Sequence, residues 1–158
     1  LPYNLGLESL VYVGKGQRLA GTLLAISERS LDTDGNIAAF LIGGPSPGIF
    51  HIKRSNDFDI SDATLLPTGD VLLLERKFSL AKGVGIQVRC IPVSTIAPDS
   101  LVDGPVLFEA DMGAEIDNFE GIATHVSRTG ETIITLISDD NFSFIQRTLV
   151  VQFTLLAR

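Results

Sequence analysis

A strand-rich unit slightly longer than fifty residues recurs along this 158-residue chain, and no other feature narrows its possible folds as far. Asn4-Leu5-Gly6-Leu7-Glu8-Ser9-Leu10 leads into Leu23-Leu24-Ala25-Ile26-Ser27-Glu28-Arg29. Asp117-Asn118-Phe119-Glu120-Gly121-Ile122-Ala123 leads into Ile133-Ile134-Thr135-Leu136-Ile137-Ser138-Asp139-Asp140. A weaker middle copy runs Ile60-Ser61-Asp62-Ala63-Thr64-Leu65, then Val71-Leu72-Leu73-Leu74-Glu75-Arg76. The acids opening each copy, Glu8, Asp62 and Glu120, stand 54 and then 58 residues apart. A solenoid coil would be shorter and more uniform, so a repeat of this length built only from strands implies an all-β fold of β-propeller blades, each of four antiparallel strands.

The apolar periodicity is two, as expected for half-buried strands, and no segment sustains a helical stripe. Eleven strands are predicted, near 7–13, 21–28, 36–42, 48–54, 60–66, 70–77, 85–93, 105–110, 119–126, 131–138 and 147–156. Gly14-Lys15-Gly16, Asp34-Gly35, Gly43-Gly44-Pro45, Pro67-Thr68-Gly69 and Thr129-Gly130 supply the turns between them. Ser94 to Gly104, with Pro98 and two acids, reads as a long surface loop. Four strands per blade gives blades at 4–56, 57–113 and 114–158, the last lacking its fourth strand. The missing strand is expected from residues before Leu1 or from another molecule, which makes a homodimer, or a longer chain with an N-terminal half, the natural ways to close a ring. The start at Leu1-Pro2 agrees with a piece of a longer protein or removal of an upstream segment.

Charge and hydropathy exclude several functions. Nineteen acids against 12 basic residues give a net charge of −7, which opposes binding to a nucleic-acid backbone, and no basic run is longer than two residues, as at Lys53-Arg54. No apolar run approaches the roughly 18 to 20 residues of a membrane-spanning helix. The single cysteine, Cys90, lies in an alternating strand as a small hydrophobe.

Asn118-Phe119-Glu120-Gly121-Ile122-Ala123, Leu136-Ile137-Ser138-Asp139-Asp140-Asn141-Phe142, Gln146-Arg147-Thr148-Leu149 and Leu66-Pro67-Thr68-Gly69-Asp70-Val71-Leu72-Leu73-Leu74-Glu75-Arg76 closely resemble the bacterial phytase-like family, described by an esterase-like activity of phytase. The resemblance spans essentially the whole chain and matches the C-terminal half of longer family members. It implies half of a six-bladed-type propeller, a periplasmic or secreted location, and hydrolysis of small-molecule phosphate or carboxylic esters.

In a propeller, the start of each innermost strand and the end of the strand after it open on one face. That geometry gathers Glu8, Asp62 and Glu120 at one mouth of the channel, with Glu28-Arg29, Glu75-Arg76 and Asp139-Asp140-Asn141 close by. Converging carboxylates suit calcium, which takes six to eight oxygens at about 2.3–2.6 Å. The expected metal ligands are Glu8, Asp62, Glu120, Asp139 and Asp140, with Arg29 and Arg76 orienting an anionic substrate group and Glu28, Glu75 and Asn141 completing the mouth. Two bland alternatives stand beside this metal-dependent hydrolase. Glu28-Arg29 and Glu75-Arg76 could be structural ion pairs between blades, and the chain could be a non-catalytic binding propeller or an inactive fragment.

Three patterns carry less. Gly44-Pro45-Ser46-Pro47-Gly48 fits G-x-S-x-G, but no helix follows to make a nucleophile elbow. Asp32-Thr33-Asp34-Gly35-Asn36 lacks the distal glutamate of a calcium loop and reads as a hairpin turn. His51 and His125 sit in strands with no catalytic partner that the sequence identifies.

Overall fold

The computed structural model describes residues 6–79, 83–111, 117–142 and 146–156. These form twelve strands and one short 3-10 turn, Val93–Thr95. The strands are β1 (Leu7–Tyr12), β2 (Thr22–Leu31), β3 (Ile37–Gly43), β4 (Gly48–Ile52), β5 (Asp59–Leu65), β6 (Val71–Ser79), β7 (Gly83–Ile91), β8 (Leu101–Val102), β9 (Val106–Asp111), β10 (Phe119–Val126), β11 (Thr132–Ser138) and β12 (Val150–Leu155). They make three sheets, ordered β1-β2-β3-β4-β8, β5-β6-β7-β9 and β10-β11-β12. All pairings are antiparallel except β4 with β8. Among the described residues, no helix is long and apolar enough to cross a membrane.

The middle sheet is covered on both faces, which explains the unbroken run Val71-Leu72-Leu73-Leu74 in β6. Val71 and Leu73 face the first sheet and pack with Leu24, Ile26, Phe50 and Ile52. Leu72 and Leu74 face the third sheet and pack with Phe119, Ile122, Ile134 and Leu136. Truncating a leucine in such a layer costs about 2–5 kcal/mol, so these two cores hold the sheets in order. The first strands lie side by side, β1 against β5 and β5 against β10. The outer face of the first sheet exposes Leu10, Tyr12, Ile42, Ile49 and Leu101.

The segment 94–104 is more than the surface loop expected. Ile96 and Val102 are buried in the first core, and β8 runs parallel to β4 with Leu101 opposite His51. Two residues are too few to show a period of two, so β8 left no signature in the sequence. Gly104 lets the chain return to the second sheet. A Cβ there would fall 1.9 Å from the Cys90 carbonyl oxygen, beside the hydrogen bond from the Cys90 N–H to the Pro105 carbonyl. β12 starts later than expected because the Ser138 side chain takes over pairing at its entry. Its hydroxyl donates to the Arg147 carbonyl at 2.7 Å and accepts from the Leu149 N–H at 2.8 Å.

Candidate functional site

Each sheet carries the same irregularity in its first strand. In β1 the partners step from Leu7↔Ser27 to Ser9↔Ile26, in β5 from Ile60↔Glu75 to Asp62↔Leu74, and in β10 from Phe119↔Ser138 to Gly121↔Ile137. One extra residue is thus inserted each time, a β-bulge that re-aims a side chain and is frequent beside functional sites. The inserted residues are Glu8, Ser61 and Glu120. The register therefore aligns Ser61 with the two glutamates and puts Asp62 one place further on, level with Ser9 and Gly121. By the same register Glu28, Arg76 and Asp139 occupy equivalent places on the second strands, opposite Gly6, Asp59 and Asn118.

Arg76 reaches side chains of both neighbouring sheets. Its Nη1 donates to Asn118 Oδ1 at 2.7 Å and to Glu120 Oε1 at 2.6 Å, both on the third sheet's side, and its Nη2 stands 3.9 Å from Glu28 Oε1 on the first sheet. Asn118 Nδ2 also donates to Glu120 Oε1, fixing the carboxylate that fixes the arginine. The Arg76 and Glu120 side chains are 33% and 38% exposed, so the pair itself adds only about 0–1 kcal/mol. Glu28, Asp59, Arg76, Lys77, Phe78, Val84 and Asn118 line a cavity of about 410 Å³, together with Asn141 and Gln146 at the third sheet.

The Glu28 carboxyl, 18% exposed, is held above the ordinary carboxylate range. Burial is the largest cause, followed by the charge of Glu8; Arg76 opposes them, Asp59 adds to the rise, and Arg29 opposes it. The outcome is an acid that keeps its proton to higher pH beside a guanidinium, the pairing from which general acid-base chemistry is built.

Glu28, Arg76 and Asn141 of the expected mouth line this cavity, Glu120 is tied to it through Arg76, and Glu8 is close enough to act on Glu28 through its charge. The others lie elsewhere. Arg29 Nη1 pairs with Asp59 Oδ2 at 3.3 Å across the first two sheets. Asp62 ties the second sheet to the third: its Oδ2 accepts from the Ile122 N–H at 2.9 Å and its Oδ1 from the Ala63 N–H at 2.8 Å. Burial raises its pKa despite those bonds. Glu75 points to the opposite face of β6 from Arg76 and is fully buried in a bidentate pair with Arg89, 2.5 Å from Nη2 and 3.1 Å from Nε, with Gln87 Nε2 at 2.6 Å. Burial pushes Glu75 up, against the charge and hydrogen bonds of Arg89 and the amide of Gln87. Arg89 goes on to the Lys53 carbonyl and to Asp103, so this cluster joins the first two sheets. Asp139 and Asp140 accept from the backbone N–H groups of Asn141 and Phe142 in a turn.

Among the described residues, no group of three His, Cys, Asp or Glu side chains stands where it could hold a metal ion. Of the five expected ligands, Glu120 pairs with Arg76, while Asp62, Asp139 and Asp140 accept from backbone N–H groups. The minor patterns fall where the sequence put them. Ser46 is exposed in the loop between β3 and β4, Asp32 accepts from the Asp34 and Asn36 N–H groups, and burial, then Asp70, raises the half-buried Cys90 thiol. Sequence reasoning missed Asp59, Phe78, Val84 and Asn118. Asn118, two residues before Glu120, was open to inference from strand alternation; the others depend on which sheets meet.

Fold and cavity together define an all-β protein whose three sheets share one arginine-bearing polar pocket. The chain belongs to the phytase-like family: the family model described as "Esterase-like activity of phytase" matches residues 1–142. No curated protein and no solved structure matches it.

Proposed function

We propose that the three sheets are consecutive blades of a β-propeller and that the cavity at their shared end hydrolyses a carboxylic or phosphate ester. The observation that carries this reading is Arg76, which reaches polar side chains of both neighbouring sheets at the wall of one cavity. Family membership supports the reaction class. The guanidinium donates to the carbonyl or phosphoryl oxygen and stabilises the charge that grows there, while Asn118 and Glu120 hold it in place. Glu28 takes a proton from a water molecule whose oxygen attacks the carbonyl carbon or phosphorus. The bond to the leaving oxygen breaks, and Glu28 returns the proton to the departing alcohol. A raised pKa brings Glu28 nearer the working pH, where a base is most effective.

A second reading rests on the same contacts. Arg76 and Arg29 both bridge sheets, which suits a non-catalytic binding module in which they are ties. Assaying the full chain on 2-naphthyl acetate, 2-naphthyl phosphate and inositol hexakisphosphate, with EDTA or with calcium, separates the possibilities. The hydrolase reading expects turnover of at least one ester, retained in EDTA and reduced about 10²–10⁴-fold in Glu28→Gln. Absence of turnover on all three, or full activity in Glu28→Gln, overturns it. Activity lost in EDTA and restored by calcium instead supports the metal-dependent chemistry expected from the sequence.

A further inference from the structure

One wall of the cavity has no part in the chemistry described above. Phe78 is 73% exposed, and its cross-strand partner is Val84. Both line the cavity, and Val84 extends the second core out to this wall. A phenyl ring left in water at the rim of a polar cavity offers a flat apolar surface to a ligand. The rest of the lining is charged but not strongly positive. Arg76 is answered by Glu120 at 2.6 Å and Glu28 at 3.9 Å. Asp59 is held by Arg54 at 2.8 Å and Arg29 at 3.3 Å. Lys77 also lines the cavity, and its ammonium is engaged 4.1 Å from the Phe58 ring centroid and 3.9 Å from Glu109. One anionic or strongly polar oxygen is therefore welcome at Arg76. A ligand carrying many phosphates meets the lining acids Glu28 and Asp59 against the lining cations Arg76 and Lys77, each already paired, so there is no surplus of cations, on a chain whose net charge is −7.

We propose that this cavity selects an ester with a flat apolar group, seated on Phe78 and Val84, and one polar oxygen at Arg76, and that it discriminates against polyphosphates such as inositol hexakisphosphate. The proposal deepens the hydrolase reading and rests on its placement of Arg76 at the reacting oxygen. Phe78 is then a specificity-determining residue of this pocket.

Binding tests this without turnover. Fluorescence anisotropy of 2-naphthoate, titrated with the full chain at 0.1 M salt, gives the affinity for a flat ring bearing one carboxylate. The expected results are at least tenfold weaker binding in Phe78→Ser, recovery toward wild type in Phe78→Leu, and displacement by unlabelled 1-naphthoate but not by equimolar inositol hexakisphosphate. Wild-type affinity in Phe78→Ser, displacement by inositol hexakisphosphate at or below the 1-naphthoate concentration, or no naphthoate binding at all overturns the proposal. Naphthoate binding that depends on Phe78, in a protein that turns over no ester, sinks the hydrolase reading and leaves the pocket's selectivity standing. Turnover unaffected by Phe78→Ser does the reverse.

Discussion

The charge on Glu8 works against ionisation of Glu28, and so do burial and Asp59, while the guanidinium of Arg76 favours it. Replacing Glu8 by Gln removes one upward influence and lowers the Glu28 pKa. As a general base Glu28 must be ionised, so the rising limb of the rate-against-pH profile should move to lower pH in Glu8→Gln, with little change in the plateau. A limb that stays put, or moves up, contradicts the placing of Glu28 as a base that feels the charge of Glu8. At this scale the sequence was informative about Glu8, Glu28, Arg76, Glu120 and Asn141, because strand ends in a repeat share an end of the sheet. It misled on Glu75. Alternation on β6 sends neighbours to opposite faces, so a Glu-Arg pair adjacent in sequence cannot serve one site in a strand covered on both sides.

Strands and bulges decide which residues meet. The sequence spacing of the repeats aligned Asp62 with Glu8 and Glu120, but the inserted residue of β5 is Ser61, so Asp62 turns inward and hydrogen-bonds the Ile122 N–H of the next sheet. A bulge of one residue leaves no trace in composition or hydropathy, which is why this register was not legible. Gly121, at the matching bulge of β10, shows how tight that junction is. A Cβ there would lie 2.8 Å from Ile137 Cγ2 and 3.9 Å from Asp62 Oδ2. Most strand positions were legible from period two and turn chemistry, whereas β8 was not. The element-scale test is the Glu75–Arg89 pair, whose side chains are 0% and 1% exposed. Removing one partner of a fully buried ion pair strands the other charge, so Glu75→Ala should destabilise the fold by about 3–5 kcal/mol in chemical denaturation. A loss under 1 kcal/mol would show that Arg89 is satisfied by the Lys53 carbonyl and Asp103 alone.

Over the whole molecule, three sheets stack so that the middle one is buried on both faces while the outer face of the first still exposes Leu10, Tyr12, Ile42, Ile49 and Leu101. The propeller reading gives that face a neighbouring blade to pack against. It also explains why bulges recur at one register, since equivalent places on successive blades open on the same end. Arg76 is where this arrangement becomes a site. Its ion pair is about a third exposed and adds at most about 1 kcal/mol to stability, whereas a donor aimed at a developing oxyanion contributes about 10²–10³-fold in rate. Those two magnitudes separate the readings of Arg76 as tie and as catalyst. The decisive measurement is ester turnover by Arg76→Gln beside its melting temperature. The account predicts a loss of about 10²-fold or more in kcat with a melting temperature within a few degrees of wild type. Unchanged turnover, or a loss no greater than the fraction of protein unfolded, would contradict it.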